Sequence, residues 1–214
     1  MRQESAVTGI GVRMAGAALA AALILAALPA GAADVPAPDG YRQDRYRSPT
    51  PASLPGAATV DAGRAAELAA RGAVLLDVMP VTVSRLGAGA TWLVDEPHRT
   101  IDGAVWLPNV GVGTPSPAVE AWYRGWLDRL SGGDPGRPLV VFCKADCWMS
   151  WNAAKRALSY GYTAVHWFRD GTDGWAESGR ALVEGRPAGP PPAEKTLEKT
   201  GEKTDVSARA EREK

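Results

Sequence analysis

The segment VVFCKADCWMSWNAAKRAL, residues 140–158, holds both cysteines of the chain, Cys143 and Cys147, four positions apart. An apolar run precedes them and a helix-like run follows. The thiolate, not the thiol, is the sulfur nucleophile, and it is favoured by inward-facing backbone amides and a helix amino terminus. Cys143, at the end of a buried strand ahead of a loop and a helix, is predicted to sit in such an amide cradle. There it would attack sulfur or carry a persulfide. Cys147 lies in the same loop, within reach to resolve the product, and Lys144 would add positive charge.

Two other roles for the pair have to be weighed. Residues four apart on a helical turn have α-carbons about 6 Å apart, so a disulfide is sterically open. Closing so small a loop removes little chain entropy, which makes a poor staple and favours a redox-active or resolving pair. A zinc site would need two further ligands, and the histidines are His98, in a predicted loop, and His166, in a predicted strand beside Trp167. The residues therefore predict neither metal nor cofactor. Trp148 and Trp151 follow the cysteine loop directly and either roof it or pack in the core. Trp106, Trp167 and Trp175 fit a core, and Trp122 and Trp126 fit the apolar face of a helix.

The elements that would position these residues alternate. A helix over 60–72 has Asp61 as cap and Gly72 as stop. AVLLDVMP (73–80) reads as a short buried strand with Asp77 at its carboxyl end, and HRTIDGAVWLPNVG (98–111) as a turn, a short strand and a loop. Residues 118–130 carry Val119, Trp122, Trp126, Leu127 and Leu130 at helical spacing. RPLVVFC (137–143) is a continuous apolar strand of the kind buried on both faces. A helix to Gly161, a strand over 163–171 and a final turn or short helix complete the order. Strands alternating with helices predict an α/β fold with a parallel sheet. In such sheets reactive groups gather beyond the carboxyl ends of the strands, where Asp77 and Cys143 both fall.

The ends of the chain read differently. Arg13 precedes an apolar run from Met14 to Leu28, followed by Pro29 and Ala30-Gly31-Ala32. That order predicts a signal peptide over residues 1–32, cleaved after Ala32, and an exported protein free of the membrane. The run is shorter than the roughly 20 residues of a spanning helix. Residues 33–57, rich in proline, predict an extended arm ahead of a domain over 58–184. Residues 185–214, a proline run followed by Glu-Lys-Thr repeats, predict a disordered charged tail. Lys and Arg number 24 against 24 Asp and Glu, with no basic cluster, which excludes a nucleic-acid partner.

Taken together, LLDV, IDGAVWLP, the cysteine-ended strand and GYTAVHWFRDGTDGW resemble the rhodanese domain, over residues 58–183. The resemblance implies a three-layer α/β sandwich around a central, mainly parallel sheet. More narrowly, CKADCWMSWNAAKRA with GTDGW is similar to the exported rhodanese-like proteins of PQQ-dependent catabolism, named for a Cys-Cys-Trp (CXXCW) motif. This implies a catalytic-type cysteine at Cys143, with Lys144, Ala145, Asp146, Trp148 and Met149 in its loop ahead of Ser150. It also implies a periplasmic setting beside a PQQ-dependent alcohol dehydrogenase or a c-type cytochrome. Several residues depart from the usual rhodanese pattern. Met79 stands where many have arginine, and the loop carries Asp146 and a second cysteine, has no arginine and is one residue longer before Ser150. An acidic residue there would repel thiosulfate, which argues against thiosulfate:cyanide transfer.

Two functions follow. In the first, the pair acts on a small sulfur or thiol/disulfide substrate, Cys143 attacking and Cys147 resolving, with Asp77 orienting the loop or capping the sheet edge. In the second, the domain is a non-catalytic module that docks a quinoprotein dehydrogenase or cytochrome. A cysteine-held redox cofactor ranks behind both for want of further ligands.

Overall fold

A computed structural model describes residues 35–85 and 89–193, all within one compact unit. The predicted signal peptide and residues 194–214 of the predicted tail lie outside the described residues. In chain order the elements are β1 (Ala58–Val60), α1 (Ala62–Ala70), β2 (Val74–Asp77), β3 (Thr82–Ser84), β4 (Thr91–Leu93), β5 (Arg99–Thr100) and β6 (Val105–Trp106). Then come α2 (Pro117–Ser131), β7 (Leu139–Phe142), α3 (Trp148–Ser159), β8 (Val165–Phe168), α4 (Gly171–Glu177) and β9 (Val183–Glu184).

Five strands form the central sheet in the order β1-β8-β7-β2-β6, and every neighbouring pair is parallel. The continuous apolar runs follow from burial on both faces. Along β7, Leu139 and Val141 point into one core with α2 and α3, whereas Val140 and Phe142 point into the other with α1 and α4. Leu76 and Leu75 on β2, and Trp167 and Phe168 on β8, divide in the same way. Helices thus cover both faces, and the fold is the expected three-layer α/β sandwich.

The helix ends obey local chemistry. Asp61 accepts from the Arg64 amide at 2.8 Å to cap α1. Ser116 caps α2, Pro117 occupies its first turn, and Gly132, at φ 69°, ends it. On α2 the buried face is Tyr123, Leu127 and Ser131, while Trp122 and Trp126 lie half-buried beside it. Val119, Trp122, Trp126, Leu127 and Leu130, the residues at helical spacing, all belong to this core or pack against it; Tyr123 was not among them.

Two antiparallel ribbons flank the sheet, β3 with β4 and β5 with β9. The chain past β9 does not leave the domain where the tail was expected to begin. The Gly185 amide donates to the His98 carbonyl and the Ala188 amide to the Trp106 carbonyl, each at 2.8 Å. The Trp92 indole donates to the Gly189 carbonyl at 2.8 Å, and Pro191 is buried. Apolar contact and backbone pairing therefore hold residues 185–191 on the domain, in spite of their proline-rich composition.

Candidate active site

Cys143 follows the last residue of β7, and Cys147 is the residue from which α3 departs. Between them the chain reverses through Asp146, whose φ of 52° is left-handed, a conformation that aspartate tolerates better than most side chains. The Asp146 side chain is exposed, so the residue contributes a turn to the loop. From the other side, Gly171 closes on the loop: a Cβ there would collide with the Cys143 carbonyl, and the next amide, of Thr172, donates to that carbonyl at 2.9 Å. This close approach is why α4 begins with glycine. The Ala145 amide donates to the Asp173 carboxylate at 3.2 Å. Lys144 pairs with Gly171 through its backbone.

The two sulfurs are 2.7 Å apart, and both cysteines are free thiols. The Cys143 thiol donates to the Cys147 sulfur, which makes the pair unequal. That hydrogen bond is the main reason the Cys147 thiol is lowered to about 7 from an ordinary value near 9. Burial opposes the effect. The Met149 amide of the first turn, though outside the geometry of a cap, and the Arg47 guanidinium both favour the thiolate. Cys143 is pushed well up, first by burial, then by its bond to Cys147 and by the charges of Cys147 and Asp77. The Lys144 amide opposes this only in part. The sequence placed the cradle around Cys143; in the fold, the helix start and a cation serve Cys147.

The cation is not Lys144. Arg47 comes from the N-terminal arm, residues 35–57, which crosses the cysteine loop. Arg47 forms an antiparallel bridge with Cys147, the Trp148 amide donates to the Tyr46 carbonyl at 2.9 Å, and the Ser48 amide to the Asp146 carbonyl at 3.1 Å. The Arg47 guanidinium donates to the Ala145 carbonyl at 2.6 Å. The strap is anchored along α3: Asn152 exchanges hydrogen bonds with the backbone of Arg42, and the Lys155 ammonium reaches the carbonyls of Pro38, Asp39 and Gly40. Under it, each cysteine is only 1 % exposed, so a substrate reaches the sulfurs only after the strap moves. Nothing near Cys147 in the sequence announces Arg47; its place among the arginines and tyrosines of the arm was the only signal.

The remaining candidates divide. Trp148 and Trp151 are both buried and pack edge to face at 5.5 Å. The Trp148 indole donates to the Ser48 hydroxyl and the Pro49 carbonyl, so this ring both roofs the loop and belongs to the core. Ser150 is buried; its hydroxyl donates to the Cys147 carbonyl at 3.0 Å and accepts from the Trp167 indole at 3.0 Å. Met149 lies in the core, its backbone against Gly111. Asp77 is fully buried at the end of β2. It accepts from His98 Nε2 and the Thr100 hydroxyl, both at 2.6 Å, and from the Met79 amide at 2.9 Å. It holds the β5 segment to the sheet and reaches Cys143 by its charge. Met79 approaches more closely, its Sδ 3.4 Å from Cys143 Sγ. A cavity of about 480 Å³ opens beyond Met79, lined also by Val81, Leu93, Pro97, His98 and Trp106. His166 lies on β8, with its titration lowered by burial and by Arg64, and belongs to no site.

No protein-family model and no curated protein matches the chain. Among solved structures the chain is similar to the polysulfide-sulfur transferase homodimer of Wolinella succinogenes, with 19% identity over 60% of this chain and 79% of that one and a TM-score of 0.40. It is similar to the thiosulfate sulfurtransferase of Pseudomonas aeruginosa at 24% identity, over 61% of this chain but 21% of that one, with a TM-score of 0.41. A rhodanese-like domain from Anabaena matches at 18% identity over 64% of this chain and 90% of that one, with a TM-score of 0.39. Likeness at this level says nothing of the chemistry, which rests on the geometry of the two sulfurs.

Proposed function

We propose that the chain is an exported rhodanese-like protein that transfers sulfur or exchanges disulfides at the Cys143–Cys147 pair. The observation that carries this reading is the unequal sulfur pair, 2.7 Å apart at the junction of β7 and α3. The Cys147 thiolate attacks a small disulfide, forming a mixed disulfide and expelling one thiolate. The Cys143 sulfur then attacks Cys147; a Cys143–Cys147 disulfide forms, the bound fragment leaves as a thiolate, and the Cys143 proton neutralises it. With a persulfide donor the first product is a Cys147 persulfide and the donor thiolate, and the second step releases hydrosulfide.

The order of attack differs from the sequence expectation, in which Cys143 leads. A lowered Cys147 and a raised Cys143 support the reversed order. The periplasmic setting and the service to a PQQ-dependent alcohol dehydrogenase or c-type cytochrome are part of the proposal. They are supported by the amino-terminal pattern and the resemblance of the CKADCW segment. The strap favours a second reading, a docking module, because it covers both sulfurs.

Alkylation of the reduced protein, mapped by peptide mass across pH, separates the two. Exchange chemistry expects carbamidomethyl at Cys147 first, with a midpoint at about 7. A pair that stays unmodified until the protein unfolds refutes it and leaves the docking module.

A further inference from the structure

Three sulfurs converge at the end of β2 and the start of the cysteine loop. Cys143 Sγ has Cys147 Sγ at 2.7 Å and Met79 Sδ at 3.4 Å. We propose that Cys143, Cys147 and Met79 form a binding site for one cuprous ion.

The donor set selects the metal. Two thiolates and a thioether are soft ligands, and soft sulfur favours Cu(I) over harder divalent ions. A closed zinc site takes four ligands from Cys, His, Asp and Glu. Among the described residues no group of three such side chains could hold a metal ion, so the third donor beside the thiols is the thioether. Cu(I) is content with three ligands and binds thioether sulfur well.

Charge and access agree. Cu(I) with two thiolates carries one net negative charge, and Arg47, which bridges Cys147 through its backbone, brings a positive one to the loop. Met79 also lines the adjoining cavity, so its thioether is the donor of the three that the cavity reaches. Metal–sulfur bonds of about 2.3 Å set three sulfurs roughly 4 Å apart, so the ion takes the place of the shared proton and spreads the pair. Binding is balanced by proton release, because each thiol that enters as a thiolate gives up its proton.

The proposal uses the same reduced pair as the exchange reading but no exchange step. The test is anaerobic titration of the reduced full chain with Cu(I), in competition with bicinchoninate. One copper per chain is expected, with protons released as the thiols bind as thiolates. X-ray absorption of the wild-type complex should show sulfur donors alone, three in number. Met79→Leu, close in volume, should weaken binding by about tenfold or more and reduce the sulfur count to two. Equal affinity in Met79→Leu, nitrogen or oxygen donors in the first shell, or retention no stronger than in a chain with both cysteines changed to serine would each overturn the site. Alkylation of copper-free wild-type protein from the same preparation judges the exchange reading separately.

Discussion

In the reduced pair a hydrogen bond joins Cys143 and Cys147, and their surroundings make the two thiols unequal. Cys147 has the helix start and Arg47, whereas Cys143 has burial and the Asp77 charge. Removing one sulfur therefore does not mirror removing the other. Cys143→Ala deletes the donor that most lowers Cys147, so the midpoint of Cys147 alkylation should move up from about 7 towards its ordinary value near 9. The same variant has no resolving sulfur and should accumulate a mixed disulfide at Cys147 when offered a small disulfide. Cys147→Ser leaves only the buried, raised thiol of Cys143, which should stay unmodified at neutral pH. Intact-mass analysis after a short exposure reads both outcomes. An adduct on Cys143 in the second variant, and none on Cys147 in the first, would restore the order expected from the sequence.

At the scale of elements the question is how a loop with both sulfurs buried admits a substrate. The strap from Tyr46 to Ser48 is held by backbone bonds to Asp146 and Trp148, by Arg47 to Ala145 and by the Ser48 hydroxyl to the Trp148 indole. Ser48→Pro removes both the amide that reaches Asp146 and the hydroxyl, while the anchors of the arm on Asn152 and Lys155 remain. Losing about 1–2 kcal/mol of local closure should raise the open population, and the rate of Cys147 alkylation, roughly 5- to 30-fold. An unchanged rate, measured with the chain still folded, would mean that the strap does not gate the sulfurs. The strap also marks the limit of what the sequence discloses. The apolar strands of the sheet and the place of Cys143 at a strand end are legible, because period and composition are local properties. Arg47 meets Cys147, and Met79 meets Cys143, only through the fold. The hairpin of β3 and β4 is equally hidden: TVS and TWL are three residues each, too short to show a period. The Asp61 cap was readable from its position and so was the core-facing side of α2, whereas the full burial of Tyr123 beside Trp122 was not.

For the molecule as a whole, the carboxyl-terminal boundary of the folded unit is the property most at odds with composition. RPAGPPP has the look of a solvated linker, yet residues 186–191 run back across the domain. Pro187 bridges Trp106, Ala188 packs on the core beside it, and Gly189 accepts from Trp92 and lies under the Trp126 ring. The attachment matters to the site because Trp106 stacks on His98 at 4.1 Å and its indole donates to the Met79 carbonyl at 2.7 Å. His98 in turn binds Asp77, so the segment braces the wall that carries Met79 towards the sulfurs. A chain ending at residue 193 keeps all of these contacts, and one ending at residue 185 loses the Ala188 and Trp92 hydrogen bonds with the packing around them. Two hydrogen bonds at about 1 kcal/mol each, with little added for the small apolar contacts, put the loss near 2 kcal/mol. For a domain of this size that is a drop in melting temperature of roughly 4–8 °C between the two chains. Thermal unfolding of the pair followed by tryptophan fluorescence measures it directly. Coincident melting curves would show that residues 186–193 contribute nothing to the fold, and the boundary would return to residue 185, where composition alone had put it.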